Sequence, residues 1–298
     1  MTLRSAPRRS RGALAACAVL AAVTLLALAG PWLAPHSATE IVGRPYAAPG
    51  HGLLGTDQLG RDVLSRVLHG GRGVLLTAAV TTVSGAVLGA AVGLTAALAA
   101  VRRPWVDGLV MRPLDALLAI PPLLLLLLFL TAAPGRWSIV AAVVVVSLPL
   151  SARVVRAAAG PVTRRAHVEA ALARGERLPW LVVRELLPFV AGPLLADAAV
   201  RFVLSVYLVA AAGFLGLGTG TADWGVLIAD ALPGAELQPW ALAAPVLLVA
   251  VLAVAANVLS DDISRRGRGG GGGGPRGGPR WGGAGGPAPP PPPRGPPP

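Results

Sequence analysis

Residues 74–101 run for 28 positions without a single charge. A bilayer-spanning helix needs roughly 20 apolar residues. No water is available at that depth, so the backbone must satisfy its own polar groups, and a helix does so within one segment. Five further stretches read the same way: 13–33, 106–133, 137–155, 186–217 and 239–260. Only 13% of the chain is charged, about half the usual share of a soluble domain. These features predict an all-α, polytopic membrane protein with six transmembrane helices.

The formal charge is +12, all 26 basic residues are Arg, and none is Lys. Such a balance can signal nucleic acid, but here the Arg residues lie between apolar runs and in the tails, which points to the membrane surface and anionic lipid. With the N-terminus inside, 19 Arg fall on the cytoplasmic side and five outside. The excess predicts that both termini are cytoplasmic in a plasma membrane. The outer loop 34–73 weakly opposes it, with Arg44, Arg61, Arg66 and Arg72 set against Glu40, Asp57 and Asp62. The apolar run 13–33 exceeds the 7–15 residues of a signal peptide core and ends in Gly30-Pro31-Trp32 without a cleavage pattern, so it reads as a retained helix.

The chain then divides into a cytoplasmic tail (1–12), the first span and outer loop (13–73), a core of five spans (74–262) and a Gly/Pro/Arg-rich tail (263–298). That last tail cannot bury a core and is expected to be disordered. Arg265, Arg266 and Arg268 could lie on anionic lipid. Cys17 is single, so no intrachain disulfide or Cys-based metal site is possible.

Between the fourth and fifth spans, residues 169–175 read E-A-A-L-A-R-G, and Leu187-Pro188 follow. Pro161 suits a helix N-terminus, residues 162–174 are rich in helix formers, and Gly175 suits the left-handed residue that stops a helix. A second short helix would start near Pro179 and run to about 186, with Pro188 marking the turn into the fifth span. The loop, about 161–188, is thus predicted to be helix–turn–helix. Ala170 and Ala171 would leave a flat surface for another protein, and Glu169 would offer it a carboxylate.

The spacing E-A-A-x3-G-x11-L-P, in that loop of a six-span chain, resembles the permease subunits of ABC importers, in which this loop docks onto ATPase subunits. The family has Ile two residues before the Leu of Leu-Pro, where this chain has Glu185. Residues 54–66 (L-G-T-D-Q-L-G-R-D-V-L-S-R), 111–121 (M-R-P-L-D-A-L-L-A-I-P) and 214–225 (F-L-G-L-G-T-G-T-A-D-W-G) are similar to the dipeptide/oligopeptide/nickel branch and to its C-type subunit. The branch often carries an acidic residue, Ala and Ser before F-L-G-L-G, where Val209-Ala210-Ala211 stand here. The resemblance covers about 53–262. It implies a type I importer permease fold, a B-type permease partner, two ABC ATPase subunits and an extracytoplasmic solute-binding protein. It also implies that ATP is held by those partners and that Glu169, Ala170, Ala171, Gly175, Leu187 and Pro188 form the coupling element.

Other residues carry two readings each. Gly85, Gly89 and Gly93 share one helix face and allow close backbone approach, either within the chain or to a partner permease. Asp197 and Arg201, four apart, can pair on one face or line a substrate path. Arg112 and Asp115, three apart, carry the same two readings, a structural pair first and a substrate path second. In 55–72, Leu59, Val63, Leu64, Val67 and Leu68 have helical spacing, which predicts an amphipathic helix on the outer membrane face. His36, His51, His69 and His167 show no metal-binding pattern. Without Lys there is no P-loop, no G-x-S-x-G elbow exists, and the glycines at 216, 218 and 220 lack a βαβ context, so no enzyme, nucleotide or nucleic-acid site is expected in the chain itself. A secondary transporter and a non-transporting scaffold remain as rival classes; an inverted internal repeat, expected for many of the former, is not visible.

Overall fold

The computed structural model describes residues 11–50, 52–218, 220 and 222–269. Ten α-helices and two short helical turns of other pitch account for almost all of it. Five helices are long and apolar enough to cross a membrane, or six if one bent pair counts as a span.

Helix α1 covers Arg11–Leu33. Helix α2, Val63–Arg102, is 40 residues long. That is about 60 Å of helix against a hydrocarbon core of roughly 30 Å, so α2 overruns the membrane. It starts at Asp62, whose carboxylate accepts hydrogen bonds from the Ser65 N–H (2.9 Å) and hydroxyl (2.6 Å). This N-cap corrects the expected surface helix over 55–72. Residues 55–62 form turns that leave Leu59 exposed, while Val63, Val67 and Leu68 are buried inside the protein. The apolar stripe is helical, but its partners are protein. Trp224 covers it, donating its indole N–H to the Val67 carbonyl at 2.9 Å.

Helices α3 (Pro104–Leu118) and α4 (Pro122–Ala132) replace the single third span expected over 106–133; they meet at 88°. Two prolines cause the break. Pro121 removes one backbone donor, and Pro122 holds Pro121 in an extended conformation (ψ 132°) that a helix cannot continue through. Asp115 pairs with Arg153 of the next helix at 2.6 Å, and Asp107 with Arg156 of the same helix, while Arg112 is exposed. The expected Arg112–Asp115 pair is therefore not formed.

Helix α5 is Arg136–Thr163. It lies against α2 along the glycine stripe. A Cβ added at Gly89 would stand 2.6 Å from the Ser151 Cβ, and one at Gly93 would stand 2.5 Å from the Ala152 carbonyl oxygen, while Gly85 faces Ser147. The stripe is thus occupied by the chain's own α5 rather than left open to a partner permease. Small residues on both helices, not large apolar ones, allow this close approach of the two backbones.

The remaining elements are α6 (Ala166–Ala173), α7 (Leu178–Trp180), a π turn (Leu181–Leu186), α8 (Leu187–Phe214), α9 (Trp224–Ala231) and α10 (Pro239–Gly269). Helix α10 continues past 263, so the start of the expected disordered tail is helical, and 270–298 lie outside the described residues. One core cluster joins α2, α5, α8, α9 and α10 around Ile139, Val143, Val209 and Leu252. A second lies under α6.

Candidate functional site: the loop between α5 and α8

Helix α5 does not stop at Pro161. It runs through that residue to Thr163, which returns its hydroxyl to the Gly160 carbonyl at 2.8 Å. The loop helix begins later, at Ala166, after the extended Arg165 (ψ 146°). Pro161 therefore falls in the last turns of α5 and not at the start of α6.

Two residues seat α6. Val168 and Ala171 are fully buried against Leu181, Leu186, Val155 and Val162. This changes the expected surface: Ala171 faces inward, and Ala166, His167, Glu169, Ala170 and Ala173 are the exposed residues. The 3.6-residue period requires it, since Ala171 lies three positions after Val168 on the same face. Glu169 sits in the first turn, where a carboxylate is favoured by the helix dipole.

Gly175 adopts φ +76°. The Gly175 N–H donates to the Leu172 carbonyl at 3.1 Å and the Glu176 N–H to the Ala171 carbonyl at 3.2 Å. This crossed pair of bonds defines a Schellman terminus, and it turns the chain back toward α8. Pro188 makes no turn. The Leu187 N–H donates to Val182 in the wider five-residue spacing of a π turn, and the helix passes without a break into α8. The two elements form one apolar span, Leu181–Phe214. Glu185, in the π turn, lies 3.7 Å from His167 of α6.

Asp197, in α8, is 7% exposed. It accepts from the Ser151 hydroxyl (2.5 Å) of α5 and from Arg201 Nε (3.1 Å). Asp197 and Arg201 do pair, and Ser151 is the third member. Sequence alone missed Ser151; its only signal was a small residue in α5 able to face Gly89. The Val209–Ala211 stretch packs toward α9, where Gly225 meets the Ala210 carbonyl.

The loop before α2 and helix α9 are knit together by a buried charge network. Asp57 accepts from the Leu59 and Arg61 N–H groups (2.8 and 2.9 Å), from Arg61 Nε (2.8 Å) and from Arg66 Nη1 (2.6 Å). Arg66, 2% exposed, also reaches Asp230 of α9 at 3.1 Å. Burial pushes the Asp57 carboxyl up, but these donors outweigh it and hold it below its ordinary value. Gln238 closes the same corner through the Ala47 and Leu54 carbonyls. Among the described residues no three His, Cys, Asp or Glu side chains converge on a metal position, and His51 lies outside them.

Asp223 caps α9 by accepting from the Gly225 N–H at 2.9 Å. Burial raises its pKa from 3.8 to about 6, against the lowering effect of that bond. A carboxyl with a raised folded pKa stabilises the fold below its unfolded value, and that contribution is lost as pH rises through about 6. Asp223→Asn keeps the acceptor and removes the charge. It should raise stability at pH 7.5 by on the order of 2 kcal/mol and flatten the decline between pH 4 and 6. Thermal unfolding in detergent at pH 4.5 and 7.5 measures both; equal melting of the wild type at the two values would contradict the assignment.

The fold is a bundle of helices long and apolar enough to cross a membrane, with a short helix on the loop between two of them. The chain belongs to the family described as binding-protein-dependent transport system inner membrane component, which it matches over residues 89–269. Residues 8–49 match the N-terminal transmembrane domain of oligopeptide transport permease C. It is 33% identical over 265 residues to the di/tripeptide transport system permease protein DppC of Pseudomonas aeruginosa, covering 85% of this chain and 86% of that protein. It is 31% identical over 268 residues to the dipeptide transport system permease protein DppC of Escherichia coli, covering 86% and 88%. The probable D,D-dipeptide transport system permease protein DdpC of Escherichia coli is 29% identical over 254 residues, covering 82% and 83%. A solved structure of the MetNI methionine ABC transporter in inward-facing conformations shares the fold, with a TM-score of 0.53 at 20% identity over 66% of this chain and 96% of that one. The chain is thus a C-type ABC importer permease subunit of the inner membrane, with the type I fold.

Proposed function

We propose that this subunit forms half of a transmembrane pathway for peptides or a chemically related small solute. A B-type permease would supply the other half, two ABC ATPase subunits the energy, and an extracytoplasmic binding protein the solute. The peptide assignment rests on the relatives, whose names carry di/tripeptide, dipeptide and D,D-dipeptide transport. Nickel draws no support from the placement of the histidines. Both termini and α6 lie on the cytoplasmic side in this reading, as the Arg distribution favours.

One observation carries the coupling role: α6 is an exposed helix seated on a foot of buried contacts that belongs to a membrane span. Glu169 and Ala170 face out, Val168 and Ala171 lock onto Leu181 and Leu186, and those residues continue into α8. Asp197 then ties α8 to α5. ATP binding by the partners would shift the balance of inward- and outward-facing states through α6, because a ligand moves only an equilibrium whose states it binds differently. No catalytic residue and no cofactor is assigned to this chain.

Coexpression with ATPase subunits, a second permease and a binding protein, followed by reconstitution, tests the reading. The expected result is copurification of the ATPases through the α5–α8 loop and ATP-dependent uptake of peptide. Uptake driven by an ion gradient without ATPases would make the chain a secondary transporter, and vesicles with no flux would make it a scaffold.

A further inference from the structure

The coupling role leaves one cluster beside α6 without an assignment. His167 Nε2 lies 3.7 Å from Glu185 Oε2. The imidazole is tilted 31° against the Phe189 ring with centroids 5.4 Å apart, and the Arg165 guanidinium sits 4.8 Å over the same ring. Four elements meet here: the residue that precedes α6, the first turn of α6, the π turn and the first turn of α8. Glu185 and Phe189 are four apart and so share a face; that face is the one turned to α6.

The fully buried part of the apolar seat under α6 is Val168 and Ala171, with Leu172 half-buried beside them. Apolar burial is non-directional, so this short apolar seat does not by itself fix the rotation of an eight-residue helix about its own axis. An ion pair and stacked groups are directional. The charged groups around the imidazole are Glu185 from the π turn and Arg165, which shares the Phe189 ring; Arg184 flanks Glu185 in the chain, and Glu169 lies on the exposed face of α6.

We propose that His167 and Glu185, braced by Phe189 and Arg165, are positioning residues that set the angle at which α6 presents Glu169 and Ala170 to the ATPase. This rests on the coupling reading above.

The test uses the whole complex in vesicles, with peptide transported per ATP hydrolysed as the readout. Glu185→Gln should lower the ratio about two- to five-fold, the range of a partly exposed ion pair, with ATPase copurification retained. The exchanged pair His167→Glu with Glu185→His should restore the ratio, which a purely structural role would not predict. His167→Gln serves as a second variant if Glu185→Gln is poorly made. Either single variant with the wild-type ratio in a working complex overturns the clasp. A wild-type complex that fails to retain ATPases overturns the coupling reading instead.

Discussion

Gly175→Val should abolish most coupled transport, by tenfold or more, while the protein still folds and inserts. The residue sits at φ +76°, and no atom lies within 4 Å of a Cβ added there. Nothing would clash, so the cost is backbone strain alone, on the order of 1–3 kcal/mol. A β-branched residue is a genuine outlier at positive φ. The strain is relieved by giving up the two crossed bonds to Leu172 and Ala171, which frees the chain leaving α6. The last turn of α6 and its approach to Leu181 then lose definition, although the spans do not. Gly175→Asn, which tolerates the left-handed conformation, should keep most of the transport. Uptake and ATPase copurification are measured together; wild-type values of both in the Val variant would remove Gly175 from the coupling mechanism.

Asp197→Asn should cost about 3 kcal/mol of stability, since removing one charge leaves its buried partner uncompensated. Asp197 is nearly inaccessible and satisfied by Ser151 and Arg201. With those partners Asp197 ties α8 to α5, and the prediction follows from a structural role. The expected outcome is a lower melting temperature and lower yield, with the apparent affinity of the surviving complex for peptide unchanged. Replacing Asp197 and Arg201 together by apolar residues should recover much of the loss, because neither charge is then stranded. A shift in affinity at unchanged stability would instead place Asp197 on the path.

Much of this architecture was legible in the order of residues. Uncharged length located the spans, and Gly175 announced its own conformation through the helix it ends. What was not legible depends on partners distant in the chain. Pro161 and Pro188 look like boundaries locally. In the fold, one lies inside the end of α5 and the other follows a π turn whose wider bonding absorbs the missing N–H. Val63 and Val67 have the period of an interfacial helix, and period cannot say whether lipid or Trp224 covers the stripe. Asp115 could pair three residues back, but Arg153, 38 positions away, takes it. Ala171 needed the register of α6 to be known before its face could be assigned.

The unbroken helix from Leu181 to Phe214 has a geometric consequence. Asp197 stands near its middle, with about 24 Å of helix on the α6 side and about 26 Å on the other. If the Ser151 hydrogen bond acts as a fulcrum, the two arms are nearly equal. A sideways push of a few ångströms on the foot of α8 would then reappear at Phe214 with similar size and opposite sense. That far end adjoins α9, where Asp230 meets the Arg66 network. A rod pushed at its α6 end would deliver the mirror image of that push at its other end, closing one side of the bundle as it opens the other.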